Sequence, residues 1–247
     1  MMASRSSIKH SFVYVFISII KVLYLANGCG YGDSEYDKPI VIGDKHLAKG
    51  KYNAAISAYR LALHKDTLDY VIWARLAKVY SAQGNIGAAT TYLRKSAAGF
   101  LGAGQNAMDS GNDSLAFVHY SNLLDLDPSN SMAHIFLGDI HNRSGDKRNA
   151  ISCYLKATKL DSLNYNTWVR LGNVYRQSKD TKRAVDAYKK AIRFNINSHP
   201  SYMGLGSIYL ARQEFNLAED YFNTALLVKP DLAEARSALE YINSLKK

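Results

Sequence analysis

Two cysteines in 247 residues cannot build a disulfide framework, which needs several pairs at short spacing. Cys153 lies beside Tyr154 inside an apolar-periodic segment, where a lone cysteine is a small packed residue. Prolines number only four, which leaves long stretches free to be helical. Long apolar runs are also missing: Ser11 to Ala26 is apolar apart from Ser18 and Lys21, and its uninterrupted part is too short to span a bilayer comfortably. Histidines are few, and His10, His46, His64, His119 and His199 share no spacing with a serine or cysteine that would suggest a nucleophile and its base. His134 and His141 stand seven apart on one predicted helix, whereas a helical metal pair needs the i, i+4 spacing. The glycine-rich Gly99-Phe100-Leu101-Gly102-Ala103-Gly104 follows no predicted strand and ends in no Gly-Lys-Ser/Thr, so it reads as close helix packing and not as a phosphate loop. The sequence therefore predicts no catalytic site, no metal site and no cofactor.

What is present is a period. Trp168, Leu171, Gly172 and Tyr175 follow an i, i+3, i+4, i+7 pattern and mark one face of a helix. Ala184, Tyr188 and Ala191 mark the narrower face of a second helix, and between the two Asp180 or Thr181 can accept from the free N–H groups that begin it. Thirty-four residues earlier the same places hold His134, Leu137, Gly138, His141, Ala150, Tyr154 and Ala157. Thirty-four residues later they hold Tyr202, Leu205, Gly206, Tyr209, Ala218, Phe222 and Ala225, followed by Pro230. A helical hairpin buries one side of each helix, so its outer faces need neighbouring copies. His134 and His141 fall where sister copies place Trp168 and Tyr175, which assigns both to the core.

The pattern W-x2-L-G-x2-Y, then A-x3-F, then P, at a period of 34, resembles the tetratricopeptide repeat. The resemblance implies an all-α solenoid of antiparallel helix pairs wound into a right-handed superhelix. Six copies are expected over 36–232, at 36–69, 70–96, 97–130, 131–164, 165–198 and 199–232. The first is degraded, with Pro39 in place of the early aromatic, and the third starts seven residues early. That shortened, glycine-rich junction around Gly99 is expected to be irregular and soft, because each glycine costs a helix up to about 1 kcal/mol. Segment 233–247, with Leu239 and Ile242 on one side, reads as a solubilising cap helix, for thirteen helices in all.

Residues 1–28 differ from the rest, carrying Arg5, Lys9 and Lys21 with no acid. They read as a secretory signal, with an uncleaved anchor as the alternative. Their end, Leu25-Ala26-Asn27-Gly28-Cys29, resembles a bacterial lipobox, which implies lipidation at Cys29; an ordinary cleaved signal with an incidental cysteine is the other reading. Segment 29–35 is then a tether. The expected location is the bacterial cell envelope, on the periplasmic side of a membrane, or secreted.

Charge is uneven. The net +10 falls to +7 once the leader and its three bases are removed. The fifth copy holds eight Lys and Arg against Asp180 and Asp186, while the third has four Asp and no base. In tetratricopeptide arrays the first helix of each pair lines a concave groove that takes an extended or helical peptide. By that resemblance the groove here would present Asp139, Asn142 and Arg143 from the fourth copy and Asn166, Arg170, Asn173 and Gln177 from the fifth, and guanidinium and amide groups suit carboxylates and peptide backbone. The two-lysine carboxylate clamp of some chaperone-binding members is not reproduced. The expected activity is that of a scaffold binding a protein or peptide with acidic residues, anchored to a membrane through lipid on Cys29, with no role for nucleic acid. The alternatives are a pilotin-like assembly factor for an envelope complex and a small-molecule-binding accessory of a membrane transporter.

Overall fold

The structure is a computed structural model that describes residues 37–64 and 69–245. The leader, Cys29 and the tether lie outside the described residues. Twelve helices make up the described part, with no strand: α1 Asp37–Ala48, α2 Tyr52–Leu63, α3 Tyr70–Ala82, α4 Ile86–Asp109, α5 Asp113–Leu126, α6 Ser131–Arg143, α7 Lys147–Leu160, α8 Tyr165–Gln177, α9 Thr181–Phe194, α10 His199–Ala211, α11 Phe215–Val228 and α12 Ala233–Leu245. Two compact units divide the chain between Gly99 and Phe100. In the first, Ile40, Tyr59, Ile72, Leu76 and Tyr80 close a core between α1, α2 and α3. In the second, Tyr154, Leu171, Tyr175, Tyr188, Leu205 and Ile208 form a core that runs through successive pairs. Ala218, Phe222, Ala235 and Ile242 form its C-terminal end, and Ile242 of α12 is fully buried as the cap reading requires.

Helix starts follow the sequence closely. Asp180 accepts from the Arg183 N–H at 3.1 Å, Asp146 from Asn149 and Asn130 from Ala133, each satisfying one orphan donor of the first turn. Such a cap stabilises by about 1 kcal/mol. The turn before each second helix holds one residue in the left-handed region: Gly50, Gly84, Gly111 and Gly145 in four copies, but Lys179 at φ 60° and Gln213 at φ 61° in the last two.

The distance between paired helices is set by one contact. A Cβ added to Gly172 would lie 2.6 Å from the Tyr188 ring, and one at Gly138 would lie 2.5 Å from Tyr154. Gly43 with Tyr59, Gly104 with Tyr120 and Gly206 with Phe222 repeat the arrangement. Each aromatic ring lies against bare backbone, and no side chain fits between. In the second copy the same two places hold Ala77 and Leu93, so the first helix has gained a methyl where the second has lost a ring.

The junction expected to be irregular is instead helical. α4 runs unbroken for 24 residues, joining the second helix of the second copy to the first helix of the third, so the described residues hold no separate pair there. In the second unit four residues, such as 161–164, separate one pair from the next, and six separate α2 from α3. A deficit of seven removes all four and leaves no chain with which to turn. The glycines are retained for contact: a Cβ at Gly99 would meet Tyr70 at 2.2 Å, and Ser96 donates its hydroxyl to the Tyr70 carbonyl at 2.7 Å.

Candidate functional site

The seven predicted site residues lie on α6 and α8, the first helices of the fourth and fifth copies. Asp139 is at the centre. Its Oδ1 accepts from the Tyr154 hydroxyl at 2.6 Å and from Arg170 Nε at 2.9 Å, so one carboxylate joins α6, α7 and α8. Burial pushes the Tyr154 hydroxyl far above its ordinary range, and the adjacent Asp139 charge adds to the shift. The phenol thus stays protonated and donates its hydrogen to the carboxylate, which can only accept. Arg170 is not a free cation: its guanidinium is held by Asp139, and its charge is largely compensated before any partner arrives.

Arg143 is likewise engaged, with Nη2 2.6 Å from Asp113 on α5. Asn142 has a buried Oδ1 with no hydrogen-bond partner among the described residues. Asn166 and Gln177 are exposed at either end of α8, and the Gln177 carbonyl accepts from Lys147 Nζ at 2.9 Å.

Asn173 differs from all of these. It stands where the fourth copy has Asp139, and its Oδ1 accepts from Tyr188 at 2.6 Å. No cation reaches it across the next junction, because the place of Arg170 is taken in the sixth copy by Gly204. A Cβ at Gly204 would fall 2.3 Å from the Tyr188 ring. With the oxygen held by the phenol, the amide N–H groups of Asn173 are oriented away from it. Burial raises the Tyr188 hydroxyl above its ordinary range, while the neighbouring Arg176 guanidinium pulls in the opposite direction. Arg176 is exposed, has no ion pair among the described residues and was not singled out from the sequence, where it was one base among eight. The one signal that could have found it is position: it lies four residues after Gly172, one helical turn beyond Asn173.

The first unit repeats the acid-centred arrangement. Asp44 accepts from Tyr59 at 2.6 Å and from Arg75 Nε at 3.1 Å, at the same separations of 15 and 31 residues. His134 and His141 are buried, as the core reading requires. His134 Nε2 lies 3.2 Å from the Pro128 carbonyl, so that nitrogen carries the hydrogen. Among the described residues no three His, Cys, Asp or Glu side chains gather where a metal ion could bind. No described helix is long and apolar enough to cross a membrane.

Four segments, 70–98, 133–162, 165–195 and 199–232, match the family model of the tetratricopeptide repeat, and together they cover half of the chain. The chain belongs to the tetratricopeptide repeat family. No curated protein matches the sequence. Among solved structures, YrrB, a tetratricopeptide protein described as having an unusual peptide-binding site, aligns with TM-score 0.56 at 15% identity over 74% of this chain and 98% of its own. A chain of the APC/C hetero-tetramer Cut9–Hcn1 aligns with TM-score 0.56 at 19% identity, over 84% of this chain and 46% of its own. MamA aligns with TM-score 0.49 at 24% identity over 78% and 97%. The likenesses to YrrB and to the Cut9–Hcn1 chain establish the fold, an all-α tetratricopeptide superhelix, and tetratricopeptide folds are scaffolds for protein interaction.

Proposed function

We propose that this tetratricopeptide protein binds an extended, acidic segment of a partner protein along the first helices of its fourth to sixth copies. The observation that carries the reading is the junction at Asn173. There the acid-centred ion pair of the preceding junction is replaced by a fixed, neutral amide with N–H groups to donate and with Arg176 beside it. Peptide backbone offers carbonyls to such an amide, and a carboxylate offers a partner to the guanidinium. The peptide-binding site named for YrrB agrees with this use of the fold.

The partner is to be captured by crosslinking and affinity purification from detergent-solubilised membranes and its affinity measured. Asn173→Ala with Arg176→Ala should weaken binding about tenfold or more, and binding should weaken as salt rises. Arg170→Ala with Asn173→Ala should also weaken it, but Arg170→Ala alone much less, because Asp139 already neutralises that charge. Equal affinity of the Asn173 and Arg176 double variant and the parent would remove the assignment.

The same proposal includes export, with lipid attached at Cys29 and retention in the bacterial cell envelope. Its support is the basic, apolar leader ending in Gly28-Cys29. Cys29→Ala should abolish incorporation of a labelled lipid precursor and release the protein from membranes. One acyl chain binds only reversibly, so stable retention requires more than one chain on Cys29. Unchanged labelling of the variant rules out the anchor.

A further inference from the structure

The second unit has an edge that neither the core nor the groove uses. It is formed by the C-terminal ends of α7 and α9 and by the short connections that follow them. Leu163 is 72% exposed and Ile196 71% exposed, each projecting from its connection, and Leu160 and Phe194 stand exposed behind them. Their outward pose is built in. Asp161 Oδ1 accepts from the Leu163 N–H at 3.2 Å, and Asn195 Oδ1 accepts from the Asn197 N–H at 3.0 Å, so each tip sits in a tight side-chain-closed turn.

The cations of the same edge repeat with the fold. Lys156 and Lys159 in α7 recur after 34 residues as Lys190 and Arg193 in α9, directly ahead of Leu160 and Phe194. α7 packs on α8 and α8 on α9, so equivalent places fall on the same edge. Asp161 is the one acid among them, so the four bases leave this edge with a net charge of about +3; its Oδ1 accepts the Leu163 N–H. Trp168 lies against this edge, donating Nε1–H to the Ser162 carbonyl at 2.9 Å with Lys190 Nζ 4.3 Å from its ring centre.

We propose that this edge docks onto an anionic lipid surface, with Leu163 and Ile196 entering the headgroup region and Lys156, Lys159, Lys190 and Arg193 meeting phosphates. The chemistry favours lipid over a folded partner. Two separate projecting apolar tips would each require a matching pocket in a protein, whereas a bilayer boundary deforms around both and supplies negative charge to the flanking bases. An indole with its N–H satisfied and its ring at the rim suits the same boundary. The contact is independent of the groove and of any lipid on Cys29.

The test uses the full chain with Cys29→Ser and Cys153→Ala, so that no acyl chain contributes, and a single environment-sensitive fluorophore on Ile196→Cys. Lys182→Cys, at the opposite end of α9, carries the same dye as a control against tethering by the leader alone. Vesicles are of phosphatidylcholine, with and without phosphatidylglycerol. The dye at 196 should shift to the blue on the anionic vesicles only, and the dye at 182 should not shift on either. Lys190→Glu with Arg193→Glu should weaken the titration about tenfold or more while leaving the helical circular dichroism unchanged. Three results overturn the proposal: no shift at 196 on anionic vesicles that bind the protein, an equal shift on neutral vesicles, or a concentration-dependent shift without lipid. The last would mark a second copy of the chain as the occupant.

Discussion

Asp139 and Arg170, thirty-one residues apart, form an ion pair at 2.9 Å between the first helices of two successive copies. The carboxylate also takes the Tyr154 hydroxyl, so it fixes the pair it belongs to and the next pair at once. Both side chains remain partly exposed, and solvent screens the attraction.

Removal of either partner should therefore have a modest but coupled effect. Asp139→Ala should cost more than Arg170→Ala, since it leaves the Tyr154 hydroxyl without its acceptor. In a double-mutant cycle by urea unfolding, the coupling between 139 and 170 should be on the order of 1 kcal/mol or less at low salt and shrink as salt is added. A coupling of zero at low salt would show that the pair forms without contributing.

Gly172→Ala should destabilise the fold by about 1–3 kcal/mol, because a methyl 2.6 Å from the Tyr188 ring forces helix α8 or the ring to move. The second copy provides its own control, holding Ala77 with Leu93. Gly172→Ala combined with Tyr188→Leu should recover part of the space lost. Thermal melts of the two single variants and the double variant decide it: a double variant no better than the sum of the singles would mean that the ring is not what excludes the methyl.

Lys179→Gly should stabilise the protein, since the backbone there is left-handed and a side chain in that region costs about 1–2 kcal/mol. The greater freedom of glycine in the unfolded chain offsets part of this gain. The reverse change, Gly145→Lys, should destabilise by a similar amount. Urea midpoints of both variants check the pair of signs.

Buried His134 and His141 give a pH dependence of known sign. Burial is the first cause at both and lowers both below the ordinary histidine value; at His141 the nearby Asp146 opposes it, and at His134 the Pro128 carbonyl opposes it while Lys156 adds to it. The unfolded chain then binds more protons than the folded one. Stability from these groups is present above the unfolded value of about 6.5 and is lost as pH falls through the folded values. Unfolding at a series of pH values from 7.5 to about 5 should show this loss. His134→Tyr and His141→Tyr, the residues of sister copies, should flatten it, and a slope unchanged in both variants would place the proton uptake elsewhere.

Much of the fold was legible because repetition makes one helical hairpin vouch for the next. Trp168, Leu171, Gly172 and Tyr175 at helical spacing, copied at a period of 34, leave little choice of architecture. Asp180 could be read as a cap from its place ahead of an apolar-periodic segment. The site was less legible. Arg170 drew notice as one of eight bases in its copy, but whether it is free or neutralised depends on Asp139 in the copy before it, and that meeting exists only once the pairs are stacked.

A second relation was hidden by chemistry. The carbonyls of Pro128, Ser162, Ile196 and Pro230 each accept a hydrogen bond from the side chain six residues later. The donors are His134, Trp168, Tyr202 and Arg236, four side chains with nothing in common but a polar hydrogen at reach. No residue pattern reports such a position.

The sequence by itself determined the helical pairs, their apolar faces and most of their ends, since those follow from periodicity and local hydrogen bonding. Only the tertiary structure decided that α4 continues through Gly99, because a helix broken by glycine propensity alone is instead held by the contacts of Gly99 with Tyr70 and of Gly104 with Tyr120. It also decided which charges remain available to a partner, because neutralisation depends on distances across repeats, and those are set by packing between helices far apart in the chain.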